Sequence, residues 1–209
     1  MLLVKDALGQ EKRMKQWIAN EYIELSRRMR LDKIGVTKLC QSCKISRGTF
    51  YYHFKDIPDL IFWIYQESIV FPVREYLQTA QHPIENIAFI SISKLYQEKQ
   101  FYCQMARQFE NSALFKQILH ATIDNCKYLC EQYMLEKEGS QDTLNRTQKM
   151  LLDYICEYFG LAHHHVVLKW LKEGMPLHPM QLASVLDSIS VNHFLELVDR
   201  IASNKLSAL

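Results

Sequence analysis

The segment that decides the fold reads IGVTKLCQSCKISRGTFYYHFKD over residues 34–56. Its first part predicts a short helix that ends near Ser42 and has Thr37 as its N-cap, because a threonine hydroxyl accepts from the first free backbone N–H groups. Cys43-Lys44-Ile45 predicts a tight turn, and Ser46 is expected to cap a further short helix, Arg47 to His53. Two short helices joined by such a turn are typical of a helix-turn-helix, in which the second helix enters the major groove of DNA.

The residues before this segment predict a longer helix that braces the two short ones. Apolar side chains recur at steps of three and four between Lys12 and Met29, which is the periodicity of a helix with one buried face. We expect this helical unit to have a core that consists of Trp17, Leu39, Ile45, Phe50 and Phe54. Residues 1–60 carry 12 Lys and Arg against 7 Asp and Glu, whereas the whole chain has a net charge of +2. This local excess indicates a polyanion as partner.

The rest of the chain predicts further long helices and no strand. A new helix is expected to begin at Asp56-Ile57-Pro58-Asp59, because proline needs no N–H donor in the first turn, and to run through Ile69. Segments 84–99, 112–137, 143–172 and 179–202 are each long enough for three or more turns, and no stretch shows the alternation of a strand. With only 6 glycines and 5 prolines in 209 residues, the chain is predicted to be all-α.

Several residues of the deciding segment have side chains that suit contacts with DNA. Arg47, at the tip of its helix, is expected to contact a guanine edge or a phosphate, and Thr49 and Tyr52 are expected to reach bases. The other polar side chains are donors for phosphate oxygens. The predicted DNA-binding set is Thr37, Lys38, Ser46, Arg47, Thr49, Tyr51, Tyr52, His53 and Lys55.

Residues 34–56 resemble the DNA-binding segment of TetR/AcrR-type transcription regulators, most specifically through SRGTFYYHF at residues 46–54. The resemblance implies that residues 10–55 form a three-helix DNA-binding unit. It also implies that the helix from Pro58 links this unit to an all-α domain for ligand binding and dimerisation. We therefore divide the chain into a helix-turn-helix domain, residues 1–57, and a helical effector-binding and dimerisation domain, residues 58–209.

Two positions depart from the pattern of that family. Lys44 stands where the family usually has a glycine, so either Lys44 adopts a left-handed conformation at some energetic cost or the turn differs. Ile57 stands where a lysine is usual, which removes an expected phosphate donor, and we expect Lys55 to take that role.

The C-terminal region is similar to that of the subgroup that includes the dihydroxyacetone-kinase gene regulators. The similarity rests on Phe159-Gly160, on Trp170-Leu171-Lys172-Glu173-Gly174-Met175-Pro176 and on Pro179. The family resemblance implies an effector pocket, which we place at Phe89, Tyr96, Tyr102, Met105, Phe109, His120 and Tyr128. Apolar stripes on the last two long helices indicate a homodimer interface, which we place at Ile155, Phe159, Ala162, Val166, Trp170, Leu186, Ile189, His193 and Leu197.

Metal binding and catalysis have little support in the sequence. Cys40 and Cys43 have the spacing of zinc ligands, but no second Cys/His pair lies in the expected register. The three histidines 163–165 point about 100° apart on a helix, so they cannot converge on one ion, although one of them can face a pocket. We find no phosphate-binding loop, nucleophile elbow or zinc-protease motif. We therefore expect no metal, no cofactor and no enzymatic activity.

These observations predict a sequence-specific DNA-binding regulator, and we expect a homodimeric repressor that a small-molecule ligand releases from a double-stranded DNA operator. Two alternatives stay open. The first is a transcriptional activator that works with a co-activator protein, and the second is a helical ligand-binding or adaptor protein that no longer binds DNA. No apolar run approaches the roughly 18 residues that span a bilayer, and no export signal is evident at the start. We expect a cytoplasmic protein without a membrane partner, whose cysteines are reduced.

Overall fold

A computed structural model describes residues 2–79, 87–138 and 144–203, with side chains from Gly9 onward except those of Glu136, Glu138 and Ser190. All regular structure in these ranges is helical, and the prediction of an all-α fold is confirmed. The helices are α1 Leu2–Ser26, α2 Val36–Cys43, α3 Arg47–His53, α4 Ile57–Tyr65, α5 Phe71–Thr79, α6 Ile87–Gln97, α7 Lys99–Gln108, α8 Ala113–Glu138, α9 Arg146–Lys172, α10 Pro179–Leu186 and α11 Asn192–Ala202. A 3₁₀ turn, Leu31–Lys33, and two π turns, Gln66–Val70 and Asp187–Val191, complete the set.

The helix-turn-helix forms where the sequence predicts it, with one correction at its start. Helix α2 has Gly35 as its N-cap, without a side-chain hydrogen bond, so the prediction that Thr37 is the cap is wrong. Gly35 has the extended backbone that an N-cap requires (φ −83°, ψ 168°), and Thr37 already lies inside the first turn. Ser46 caps α3 as predicted: its Oγ accepts from Thr49 N at 2.9 Å.

Lys44 takes the left-handed conformation that its position in the turn requires. Its φ is 56° and its ψ is 41°. The next N–H, that of Ile45, donates to Cys40 O at 3.0 Å, and this bond across five residues closes α2 in a Schellman motif. The lysine therefore preserves the turn between α2 and α3, at the conformational cost that a glycine would avoid.

One nearly continuous helical rod leads away from the helix-turn-helix. It begins at Asp56, whose carboxylate accepts from Asp59 N at 2.8 Å, and has Pro58 in its first turn, as predicted. The rod continues past Ile69 to Thr79, but the π turn Gln66–Val70 interrupts its α-helical register between α4 and α5. One extra residue in this turn rotates the side chains that follow.

The later helices agree with the predicted segments apart from details. The first segment ends at Gln97, and α7 follows as a separate helix. An Asn145/Gln148 capping box starts α9, and His178 caps α10. The last predicted helix, 179–202, is α10 and α11 joined by the second π turn. Residues 84–86 and 143 of the predicted segments lie outside the described residues.

The buried core contains most of the predicted apolar residues but not Trp17. Leu39, Phe50 and Phe54 are buried, and Ile45 packs against them. Trp17 is 53% exposed, so its prediction as a core residue is wrong; the neighbouring Ile18 is buried instead. Trp17 and Ile18 point about 100° apart on the helix, so only one of them can face the middle of the core. The apolar pattern alone does not show which one. The same cluster continues without a break into α4 and the C-terminal helices.

Helices α8 and α9 pack closely side by side. A Cβ atom added at Gly160 would lie 2.8 Å from Ile123 Cγ1 and 2.9 Å from Ile123 Cα. Only glycine therefore permits this separation of the two helices. The close approach brings His163, one turn further along α9, against the residues of α8 that enclose the pocket described below.

Candidate functional site

Helix α3 presents the predicted base-reading side chains on the outer surface of the helix-turn-helix. Arg47 is exposed, Tyr52 is 76% exposed and Thr49 is half-buried. The opposite face of α3 carries Phe50, which is completely buried in the core, and α3 packs against α1 and α2. Burial of one face therefore fixes the direction in which the other face projects.

Local contacts order the side chains at the start of α3. The Arg47 guanidinium lies 5.9 Å from the centre of the Tyr51 ring, within the range of a cation–π contact. Ser46 Oγ and Thr49 Oγ1 are 2.9 Å apart, so one hydroxyl donates to the other. Tyr51 is 49% exposed. Arg47 retains its guanidinium N–H groups for a planar acceptor such as a guanine edge or a phosphate.

The predicted phosphate-contacting residues lie around this surface in different environments. Thr37 and Lys38 are exposed on α2, and Lys55 is exposed just beyond α3. His53 is half-buried, with its ring 4.9 Å from that of Tyr52. Burial lowers the pKa of His53, and its Nδ1 is buried without a hydrogen-bond partner among the described residues. His53 is thus a neutral imidazole at neutral pH.

The two carboxylates near the end of α3, those of Asp56 and Asp59, accept hydrogen bonds from backbone N–H groups. Asp59 Oδ2 accepts from Lys55 N at 2.9 Å, while Asp56 caps α4. These bonds hold the chain rigidly as it leaves α3. Ile57, where a lysine was anticipated, packs its side chain against the core and offers no charge to a phosphate.

The structure contains an apolar pocket inside the C-terminal helices, at residues that the sequence analysis did not select. Its larger chamber has a volume of about 100 Å³ and is lined by Tyr65, Ile69, Val73, Ile87, Ala88, Ser91, Thr122, Asn125, Cys126, Leu129, His163 and Val191. An adjoining chamber of about 50 Å³ shares Tyr65, Ile69, Ser91, Thr122 and His163 with it.

The seven residues proposed from sequence for the effector pocket do not converge. Met105 lines the smaller chamber, whereas Tyr102 and His120 line two separate clefts. Phe89 and Tyr96 are more than a third exposed. Phe109 and Tyr128 are half-buried elsewhere. The signal that does point to the observed pocket is the histidine tract: His163 and His164 line it, and His165 is exposed.

Polar groups of the pocket are few. Tyr65 Oη and Thr122 Oγ1 are 3.3 Å apart, and the Thr122 hydroxyl donates to Ile118 O at 3.0 Å. His163 makes no hydrogen bond to any residue that the structure describes. Burial and the neighbouring His164 lower its pKa to about 4, so the imidazole is neutral at pH 7.

The residues proposed from sequence for the dimer interface fall into three groups. Trp170 and Leu186 are buried within the chain, where Trp170 Nε1 donates to Leu177 O at 3.1 Å. Ile155, Phe159 and Leu197 are half-buried, and Phe159 packs on Phe194 at 5.3 Å between ring centres. The exposed members are Ala162, Val166, Ile189 and His193.

A row of larger exposed apolar side chains lies beside those exposed members. Tyr154 is 63% exposed and Tyr158 is 68% exposed, one turn apart on α9, and Leu161 follows them. Ile189, in the second π turn, is 67% exposed. Tyr154 and Tyr158 each precede by one residue the members Ile155 and Phe159 of the predicted interface. They therefore lie about 100° away from those residues around the axis of α9.

No group of His, Cys, Asp and Glu residues in the described part of the chain could hold a metal ion. All six cysteines are free thiols, and five of them are buried. Burial raises the pKa of Cys40 and of Cys43, which keeps both thiols protonated and unreactive at neutral pH. None of the described helices combines the length and the apolar character that crossing a bilayer requires.

Comparisons with known proteins agree with this arrangement. The structure is similar to that of a protein named "Dihydroxyacetone kinase operon activator DhaS", with a TM-score of 0.58 and 19% sequence identity, over 88% of this chain and 96% of that chain. No curated protein matches the sequence. A family model described as "Transcriptional regulator C-terminal region" (TetR_C_8) matches residues 85–192, which is more than half of the chain. The chain therefore belongs to this family of TetR-type transcriptional regulators.

Proposed function

We propose that this regulator is a sequence-specific DNA-binding repressor of the cytoplasm that a ligand releases from its operator. The observation that carries the proposal is the outward face of α3, where Arg47 and Tyr52 project from a helix whose other face is locked in the core. A helix anchored in this way is the arrangement with which a helix-turn-helix reads the major groove.

The side chains divide by role in this proposal. The exposed Arg47 and Tyr52, with the half-buried Thr49 between them, contact bases. The remaining predicted residues position the protein on the sugar-phosphate backbone: Thr37, Lys38, Ser46, Tyr51, His53 and Lys55. Since His53 is neutral and half-buried, its contribution is a hydrogen bond and not a charge.

The functional molecule in this proposal is a homodimer. The exposed apolar row Tyr154, Tyr158 and Leu161 on α9 supplies a face on which a second copy can pack. Val166 and Ile189 are further exposed apolar side chains of the last helices. A two-fold axis through this face would present two α3 helices to half-sites about 34–36 Å apart, or a multiple of that distance. An operator of this kind is close to palindromic.

Ligand control would act through the rod that links the two functional parts, residues 1–57 and residues 58–209. Tyr65 and Ile69 of this rod line the pocket, and the rod starts three residues after α3 ends. A ligand that fits one position of the rod better than another changes the separation of the two α3 helices. Such a ligand changes the DNA affinity only by the difference between its binding free energies for the two positions of the rod.

A second candidate is activation in partnership with a co-activator protein. The similar structure bears the name of an operon activator, which keeps this alternative in view. A reporter gene driven by the target promoter separates the two, because deletion of a repressor raises reporter output and deletion of an activator lowers it.

The adaptor alternative, in which DNA binding has been lost, has less support. The features that favour it are the two departures from the family pattern, Lys44 and Ile57, but Lys44 adopts the turn conformation that a glycine would have taken. Ile57 is half-buried and packs against the core, and Lys55 remains exposed to serve in place of the missing cation.

A gel-shift experiment with the DNA upstream of the chain's own gene tests the proposal. We expect a discrete complex at two salt concentrations, weaker at the higher one because counterions are released on binding, and persistent against excess random duplex. Equal binding to upstream and random DNA, or no complex at all, would refute sequence-specific recognition.

A further inference from the structure

The interior pocket has a boundary made of uncharged side chains. Among the described residues that line its two chambers, none is Asp, Glu, Lys or Arg. Arg74 donates to Asn125 Oδ1 at 2.9 Å, but its guanidinium lies against the Tyr128 ring, and Arg74 is not part of the lining. An ion that entered would lose its hydration without gaining a countercharge. The pocket therefore selects against charged molecules.

His163 is the polar side chain common to both chambers that makes no hydrogen bond with any described residue. Thr122 and Tyr65 satisfy each other, and Ser91 Oγ donates to Ala88 O at 3.0 Å. The His163 ring belongs to the wall of both chambers and makes no hydrogen bond with the described residues. A neutral imidazole has one N–H donor and one nitrogen acceptor. An uncharged hydroxyl group in the pocket could use either.

The volume of the pocket limits the size of an occupant. The two adjoining chambers, about 100 and about 50 Å³, share a wall of common residues. Together they match the roughly 150 Å³ cavity in which an apolar protein interior accommodates benzene. A single six-membered ring with one small substituent therefore fills this space.

Both π turns of the structure contribute to this pocket. Ile69 lies in the turn Gln66–Val70, and Val191 ends the turn Asp187–Val191. Such turns are frequent at functional sites in other proteins. Here they re-aim two side chains that line the larger chamber, and the first of them interrupts the rod that leads to α3.

From these observations we infer that the pocket binds a small uncharged ring compound that carries one hydroxyl group, and that His163 holds this hydroxyl by a hydrogen bond. This inference names the chemical class of the ligand in the proposed function, and its regulatory role rests on that proposed function. The binding step itself requires only the folded protein.

Phenol, benzene and benzoate are the probes that test this inference on the purified full-length protein without DNA. Isothermal titration should detect saturable binding of phenol. Benzene should bind about tenfold more weakly, since it lacks the hydroxyl, and benzoate should not bind because it is charged. Equal affinity for phenol and benzene, or binding of benzoate as tight as that of phenol, would overturn the inference without any need for a variant.

Substitutions at the histidine tract locate the site. His163→Leu should lower phenol affinity about tenfold and leave benzene affinity unchanged, whereas His163→Gln, which keeps a hydrogen-bonding group, should retain the preference for phenol. His165→Leu is the matched control, because His165 is exposed on the same helix, and it should bind phenol like the wild type. Unchanged phenol affinity in His163→Leu would contradict the assignment.

The same probes separate failure of this inference from failure of the proposed function. Phenol that binds in the pocket but leaves a specific DNA complex intact would refute the coupling and not the ligand class. A protein that binds specific DNA but none of the three probes would refute the ligand class alone.

Discussion

The side-chain amide of Gln104 donates a 2.8 Å hydrogen bond to the backbone carbonyl of Ser26, and this bond joins α7 to the end of α1. The same amide accepts from Leu31 N at 3.0 Å through its Oε1 atom. One turn further along α7, Gln108 accepts from Asp32 N at 2.8 Å. Glutamines of α7 thus satisfy the backbone groups where the chain turns from α1 towards the helix-turn-helix.

Gln104→Leu should lower the free energy of unfolding by about 1–3 kcal/mol, because it leaves the carbonyl of Ser26 and the N–H of Leu31 without this partner. Urea denaturation monitored by circular dichroism measures the change. Gln117→Leu, on the exposed face of α8, is the control and should change stability by less than about 0.5 kcal/mol. Equal effects of the two substitutions would show that the contacts of Gln104 are not stabilising.

Ser46→Ala should destabilise the protein by about 1 kcal/mol, since it removes the side-chain acceptor for Thr49 N at the start of α3. Thr37→Ala should cost much less, because Gly35 and not Thr37 is the N-cap of α2. Thermal denaturation of both variants provides the comparison. A larger loss in Thr37→Ala would contradict the cap assignments.

Gly160→Ala should destabilise the protein by about 1–2 kcal/mol. The added methyl group would overlap the Ile123 backbone at 2.9 Å, and this overlap outweighs the gain in helix propensity. Gly9→Ala is a matched control, because nothing lies within 4 Å of a Cβ at that helical position. Gly9→Ala should be neutral or stabilising by up to about 1 kcal/mol. Denaturant unfolding of the two variants decides between these outcomes.

The free energy of unfolding should depend on pH through His163. Its pKa in the folded protein is about 4, below its ordinary value of 6.5, so the unfolded chain binds more protons between these two values. Stability therefore falls as the pH drops from about 6.5 towards 4. His163→Gln should remove about 2 kcal/mol of the difference in stability between pH 7 and pH 5.

The control for that pH dependence is His120→Gln, at an exposed ring on α8. It should leave the difference between pH 7 and pH 5 as in the wild type. Burial also lowers the pKa values of His164 and His53, so some loss of stability at low pH persists in every variant. An identical pH profile in His163→Gln and wild type would contradict the lowered pKa of His163.

The sequence predicted those parts of the structure that local chemistry determines. The bounds of α3, the Ser46 cap and the start at Asp56 follow from capping residues and proline, whose effects act within one turn. Periodicity predicted α8 and α9 equally well, but no predicted segment covers α7 beyond its first residue, Lys99. Periodicity did not predict the two π turns. One extra residue in a helix rotates the side chains that follow it, but the segment remains apolar and still has the appearance of a continuous helix.

Features that depend on tertiary packing could not be predicted from the sequence. Trp17 and Ile18 both fit the apolar stripe of α1, and only packing against neighbouring helices shows which of them is buried. The pocket forms where α4, α6, α8 and α9 meet. A stripe of aromatic or methionine residues in the sequence cannot show where a pocket forms, since the same stripe is found where these side chains simply fill a core.

Binding of Arg47→Ala and Lys55→Ala to target and random duplexes, measured by fluorescence anisotropy over a range of salt concentrations, tests the central claim most directly. If α3 reads the major groove, Arg47→Ala should lose about 1–3 kcal/mol on the target alone, and Lys55→Ala should weaken binding to both duplexes and reduce the salt slope by about one. Equal losses on target and random DNA for Arg47→Ala would make Arg47 a phosphate contact. Unchanged binding in both variants would contradict recognition through this helix.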